Sequence, residues 1–152
     1  MLTKKEVLYS RYIDELSMYF SEPIDYNDDR IKETVSSYLK NKETKWTDIK
    51  QNGKTVGFLI TSKARVNPHL DGIYICDAYI IPESRHKRLM KTALEKELDG
   101  FHGIIYYEVQ SGNLFGDKFW KTVMSEFHYA LLQESDSESS VKGLKSFIWK
   151  TS

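Results

Sequence analysis

Over residues 6–20 apolar side chains fall at Leu8, Tyr12, Leu16 and Tyr19, with Val7 and Phe20 widening the stripe. That spacing predicts a helix with one buried face. Pro23, Asp25, Asn27 and Asp28 interrupt the period. Ile31, Val35, Tyr38 and Leu39 then resume it as a second helix, with Asp28 and Asp29 as an acidic start. Residues 41–45 are polar. Strand character begins near Trp46, with weak alternation over 47–50 and a second strand over 55–62. The two are joined by Gln51-Asn52-Gly53-Lys54, whose Asn-Gly pair suits the positive φ angles of a tight hairpin. Asn67, Pro68 and His69 form the next connection. Residues 72–81 are strongly β-prone and stop at Pro82, which cannot donate to a ladder.

A third helix is expected over residues 85–98, with Leu89, Ala93, Leu94 and Leu98 on its packing side and Asp99-Gly100 closing it. Gly103 leads into an apolar strand over 104–109. Asn113 or Ser111 is placed to cap a fourth helix carrying Phe115, Phe119, Trp120 and Val123. Two late strands are expected at 127–133 and 144–150, with an acidic, mobile loop over 134–140 between them. A hairpin followed by strand–helix–strand units predicts an α/β domain: a mixed sheet with helices on both faces.

Composition narrows the class without naming a function. At 152 residues, with no internal repeat and no long linker, one domain is expected. A chain of this length buries roughly two-thirds of the surface its unfolded form exposes, so it needs no staple. Lys plus Arg and Asp plus Glu number 22 each, so there is no basic surplus to drive phosphate-backbone binding, and nucleic acid is not an expected partner. The one cysteine, Cys76, excludes an internal disulfide and a multi-cysteine metal site. No apolar run has the length of a signal peptide or a membrane span, so no membrane is expected and the cytoplasm is the default location. A homodimer is compatible with the sequence, being the commonest soluble assembly.

The segment Asp77-Ala78-Tyr79-Ile80-Ile81-Pro82-Glu83-Ser84-Arg85 and the helix after it carry a resemblance. They resemble the central motif of the GNAT superfamily of N-acetyltransferases, an apolar strand, a proline, then Arg or Gln and x-x-Gly-x-Gly entering a helix. Ile80, Pro82 and Arg85 stand at matching spacing, while Arg88 and Met90 occupy the two glycine positions. Asn113, Phe119 and Trp120 resemble the family's Asn-x-x-Ala-x-x-Phe-Tyr element. The likeness in element order spans nearly the whole chain.

The resemblance implies the acyl-CoA N-acyltransferase fold, a mostly antiparallel central sheet with a parallel β-α-β core. It implies acetyl-CoA as co-substrate and an amine of a small molecule or protein as acceptor. Ile80 and Ile81 would pair with the pantetheine arm. Arg85, His86, Lys87, Arg88, Leu89 and Met90 would hold the pyrophosphate, joined by Asn113 downstream. The physics is independent of the name, since a strand feeding a helix leaves amides unpaired at the positive end of the helix dipole.

Acetyl transfer needs a base for the amine, a polarised carbonyl and an acid for the departing thiolate. Asp77 is the candidate base, directly or through water, equally readable as a carboxylate that caps or hydrogen-bonds a neighbouring strand. The family's acid, a tyrosine, falls at Trp120, whose indole cannot serve. Tyr129 or Tyr107 is left for that role. Cys76 reads as a small buried thiol, and His69, His102 and His128 lack metal spacing. An acetyltransferase and a catalytically inactive binding module of the same fold therefore both remain readings of the sequence.

Overall fold

The starts of the first, second and fourth helices are set by side chains that satisfy orphan amides. The structure, a computed structural model, describes residues 1–20, 26–67, 70–136 and 143–151. Thr3 opens α1 (Lys4–Leu16): its hydroxyl accepts from the Glu6 amide while the Glu6 carboxylate accepts from the Thr3 amide, closing a capping box. Asn27 opens α2 (Asp28–Lys40) by accepting from the Arg30 amide at 2.9 Å, with Asp28 and Asp29 in the first turn. β1 (Thr44–Gln51) and β2 (Lys54–Asn67) are joined by Asn52 and Gly53, both at positive φ (52° and 81°). β3 (Leu70–Ile80) leads through a 3₁₀ turn at Pro82–Ser84 to α3 (Leu89–Leu98). β4 (Ile104–Gln110), α4 (Leu114–Glu126), β5 (Ala130–Asp136) and β6 (Leu144–Lys150) complete the chain.

The strands form one six-stranded sheet in the order β1-β2-β3-β4-β6-β5. β3 and β4 are parallel, with Gly72 opposite Ile104 and Tyr74 opposite Tyr106, so α3 is the crossover of a β-α-β unit. β4 with β6 and β6 with β5 are antiparallel. The mixed sheet predicted from the order of elements is the one observed.

The chain divides into two compact units, residues 1–61 with 77–97, and residues 62–76 with 98–152. In the first, α1 and α2 cover one sheet face. Tyr9 and Tyr12 pack on the fully buried Phe58, ring centroids 5.8 and 5.6 Å apart, and Trp46 lies 5.0 Å from the same ring. Side chains alternate across a strand, so Lys45 and Thr47, flanking Trp46, face the other side, and there both meet Glu97 of α3. Gly57 is obligatory in this unit: a Cβ would stand 2.1 Å from the Tyr79 carbonyl oxygen.

In the second unit α4 lies over Tyr107, Phe147 and Trp149. Tyr107 stacks on Phe147 at 5.1 Å, Trp120 of α4 sits 5.1 Å from Tyr107, and the Trp149 indole donates to the Tyr107 hydroxyl at 3.0 Å. Burial raises the Tyr107 phenol well above its ordinary value, against the hydrogen bond from Trp149.

Several boundaries differ from the sequence reading: α1 ends at Leu16 rather than at residue 20, and β2 runs on to Asn67, past the expected end at 62. α3 begins at Leu89 rather than at residue 85, because His86 and Arg88 have φ of 65° and 58°, which no right-handed helix accommodates. α4 runs to Glu126, where the expected strand at 127 gives way to a Schellman closure. There His128 is left-handed, its amide donates to the Ser125 carbonyl, and the Tyr129 amide donates to that of Met124. β5 extends to Asp136 by pairing with β6, so residues 134–136 of the expected loop are strand. The rest of that loop, 137–140, lies outside the described residues, as do Pro23, Asp25, Pro68 and His69.

Candidate functional site

Asp77 stands on β3 with its side chain on the α1 and α2 face, and its carboxylate is where three tyrosines converge. The Tyr12 hydroxyl donates to Oδ1 at 2.5 Å, and those of Tyr9 and Tyr38 donate to Oδ2 at 3.0 and 2.6 Å. Tyr9 and Tyr12 are buried, while Tyr38 and Asp77 are half-buried. α1 supplies two of these phenols three residues apart, on one face, and α2 supplies the third. A carboxylate has about four lone-pair sites, so one, on Oδ1, is left over. Burial raises the Asp77 carboxyl above its ordinary value, and the bonds from Tyr12, Tyr38 and Tyr9 oppose the shift. The same burial, with Asp77 adjacent, drives the Tyr9 and Tyr12 phenols far upward, so both stay protonated donors. Asp77 thus hydrogen-bonds the helices α1 and α2 rather than a neighbouring strand, and among the described residues it keeps one acceptor site on Oδ1.

Beyond Tyr79 the strand end becomes a tight turn. The Ile81 amide donates to the Val56 carbonyl at 2.9 Å, which ties it to β2. Backbone groups alternate in direction along a strand, so the Ile80 amide and carbonyl point to the other edge. That Ile80 carbonyl accepts from Nε of Arg85 at 2.8 Å. The two terminal nitrogens of Arg85 meet the Glu15 carboxylate at 2.7 and 2.6 Å, a two-bond pair that raises the guanidinium's pKa. Arg85 is thereby committed to the protein at three nitrogens. His86, Lys87 and Arg88 follow, all exposed, with His86 and Arg88 in the left-handed region. That conformation costs an L-residue roughly 1–2 kcal/mol, and it is the one glycine would take freely. At the two family glycine positions, Arg88 keeps the glycine-like backbone, and the side chain of Met90 is buried. α3 then starts with the first amides of its opening turn lacking intrahelical acceptors.

The second unit holds the remaining predicted site residues. Asn113 caps α4, its Oδ1 accepting from the Gly116 amide at 2.9 Å and its Nδ2 donating to Gln110 Oε1 at 3.1 Å. Tyr129 closes that helix with its amide, and burial raises its phenol. Cys76 is half-buried, its Sγ 3.9 Å from the Tyr74 carbonyl. Among the described residues no group of His, Cys, Asp and Glu could hold a metal, and no helix is long and apolar enough to cross a membrane.

Sequence reasoning named Asp77 and Arg85 but not their partners. Tyr12 and Tyr38 were visible only as helix-core aromatics, while Tyr9, outside the apolar stripe read for that helix, and Glu15 carried no signal at all. No known family profile and no curated protein matches the chain by sequence. Solved structures do match. An acetyltransferase from Thermus thermophilus superposes with a TM-score of 0.67 at 12% identity, over 95% of this chain and 90% of that one. A spermidine N-acetyltransferase from Vibrio cholerae, solved with CoA and spermine, gives 0.67 at 14% over 97% and 90%. Further matches include GNAT-family acetyltransferases from Desulfovibrio desulfuricans and Streptococcus pneumoniae.

This chain has the GNAT fold.

A diaminobutyrate acetyltransferase from Paenibacillus lautus, solved with its substrate and coenzyme A, shares that fold with a TM-score of 0.65 at 14% identity, over 97% of this chain and 89% of that one. Within the GNAT fold the turn at 85–90 and Asp77 occupy the strand–turn–helix motif on which the sequence resemblance rests.

Proposed function

We propose that the chain transfers an acetyl group from acetyl-CoA to a primary amine of a small molecule or protein. The observation that carries this reading is the turn at 85–90. It holds left-handed backbone at two non-glycine residues, at a cost, on a fold shared with acetyltransferases solved with CoA. The residues present fit a diphosphate. The opening amides of α3 and its dipole face an anion favourably, and His86, Lys87 and Arg88 surround that helix start with exposed basic side chains. Met90 contributes an amide while its side chain stays in the core. Arg85 supports the turn rather than meeting the ligand, and Ile80 offers its amide to the pantetheine arm because its carbonyl is taken by Arg85.

In this reading the free lone pair of Asp77 Oδ1 accepts the proton of the acceptor ammonium, directly or through water. A raised carboxyl is a stronger base than an ordinary one. Neutral amines attack thioesters unaided, so no covalent enzyme intermediate is required. Tyr129 is assigned as acid for the thiolate, since the position matching the family's tyrosine is Trp120. The cytoplasm is the expected site of action.

Trp120 favours a second reading, an inactive module of the same fold, because an indole N–H does not protonate a thiolate. Titration calorimetry with acetyl-CoA and CoA, followed by thiol release across a panel of primary amines, decides between them. Micromolar binding with turnover supports the enzyme, and binding without turnover supports the module. No heat at millimolar ligand overturns the coenzyme A reading.

A further inference from the structure

The turn's left-handed residues need an anchor, and the structure supplies one from α1. Arg11 and Glu15 lie four residues apart and so share a face of that helix. Arg11 reaches Glu83 at 3.3 Å, and Glu15 holds both terminal nitrogens of Arg85. The two contacts bracket Ser84, which is buried. They differ in kind. The Arg11–Glu83 pair is exposed, with side chains 44% and 65% accessible, and a solvated single contact of this sort fixes little. The Glu15–Arg85 pair is bidentate, with each side chain about a third accessible, and its fork geometry fixes orientation as well as distance. Arg85 passes that constraint on. Its Nε holds the Ile80 carbonyl, closing the chain from the end of β3 to the first residue of the turn, and its guanidinium lies 5.6 Å over the Tyr79 ring. The next residue is His86, the first left-handed position.

We propose that Glu15 is a positioning residue for the coenzyme A turn, acting through Arg85. It makes no contact with the ligand itself. With its carboxylate in place, Arg85 is locked across residues 80–85, and the amides that follow are held in one arrangement before any ligand arrives. Without it the guanidinium is released, the Ile80 carbonyl loses its donor, and residues 86–91 relax away from the left-handed conformation. The ligand half of this inference rests on the coenzyme A reading above, whereas the ordering of the turn does not.

The test therefore has one arm without ligand and one with it. In the unliganded protein, amide hydrogen exchange is followed in wild type, Glu15→Gln, Arg85→Ala and the control Arg11→Ala. We expect exchange at Ser84, Arg85 and Thr92, whose amides donate to the Ile81, Pro82 and Arg88 carbonyls, to rise about 10-fold in the first two variants, while amides of β2 and the melting temperature stay near wild type and Arg11→Ala changes neither. In the second arm, calorimetry with CoA is expected to give about a 10-fold weaker Kd for Glu15→Gln and for Arg85→Ala, and no further loss in the double variant, as groups acting through one another require. Unchanged exchange at Ser84, Arg85 and Thr92, or a uniform rise across the whole protein, overturns the proposal. So does wild-type affinity for CoA in Glu15→Gln when wild type binds. If wild type binds no CoA, the coenzyme A reading falls, and the exchange arm alone decides whether Glu15 orders the turn.

Discussion

Replacing Asp77 by Ala and by Asn separates two contributions that a single substitution would confound. In Asp77→Ala the hydroxyls of Tyr9, Tyr12 and Tyr38 lose their shared acceptor. An unsatisfied buried donor costs about 1–3 kcal/mol; Tyr9 and Tyr12 are buried and bear that cost, while half-buried Tyr38 turns to water and bears less. The sum is about 2–6 kcal/mol, part of it offset because a buried carboxylate charge is also removed. For a domain of this length each kcal/mol moves the melting temperature by about 2–4 °C, so Asp77→Ala should melt about 10 °C lower.

Asp77→Asn keeps an oxygen acceptor, and a phenol facing the amide nitrogen rotates to accept. It carries no charge to desolvate. Its stability at pH 7 should lie within about 1 kcal/mol of wild type. The pH dependence follows from the raised carboxyl. Folded Asp77 holds its proton more tightly than the unfolded chain does. Its favourable contribution is therefore present below the ordinary carboxyl value, about 3.9, and is lost as pH rises toward the raised folded value. Wild type should thus gain on Asp77→Asn as the pH is lowered, in urea titrations from pH 7 to pH 4. If Asp77→Asn fell as far as Asp77→Ala at pH 7, the charge itself would hold the three phenols and the balance between charge and hydrogen bonds would be the reverse.

Gly57→Ala places a Cβ 2.1 Å from a backbone oxygen that cannot retreat without breaking the β2–β3 pairing, so a loss of at least about 1–3 kcal/mol is expected in urea unfolding. His86→Gly should hold or raise the melting temperature, because glycine takes φ near 65° without steric cost, whereas His86→Val should lower it by at least about 1 kcal/mol. Trp149→Phe leaves the buried Tyr107 hydroxyl without its donor, and a loss of about 1–3 kcal/mol at unchanged near-neutral pH is expected in thermal unfolding.

Much of the architecture was legible because it depends on local periodicity. The stripes in residues 6–20 and 31–39, the Asn52-Gly53 hairpin and the Pro82 stop each report the backbone's immediate needs, and the observed elements follow them. The strand–Pro–Arg–helix spacing also carried the fold, as the solved neighbours show at identities of 9–16%. The structure decided what depends on residues far apart in sequence. Asp77 gathers phenols from 39, 65 and 68 positions away, and Arg85 meets a glutamate 70 positions away, pairings that no local pattern announces. The start of α3 was misplaced for a related reason. His86 and Arg88 have ordinary helix tolerance by residue type, whereas their left-handed backbone follows residues that are tied to β2 and to α1 by bonds no local pattern announces. Sequence periodicity sets which segments become helix or strand, while the face each one buries is a property of the packed chain. That packing exposes Val7, Leu39 and Phe115 of the expected stripes and buries Tyr9 and Ile13 instead, and it also decides the partner each polar group finds.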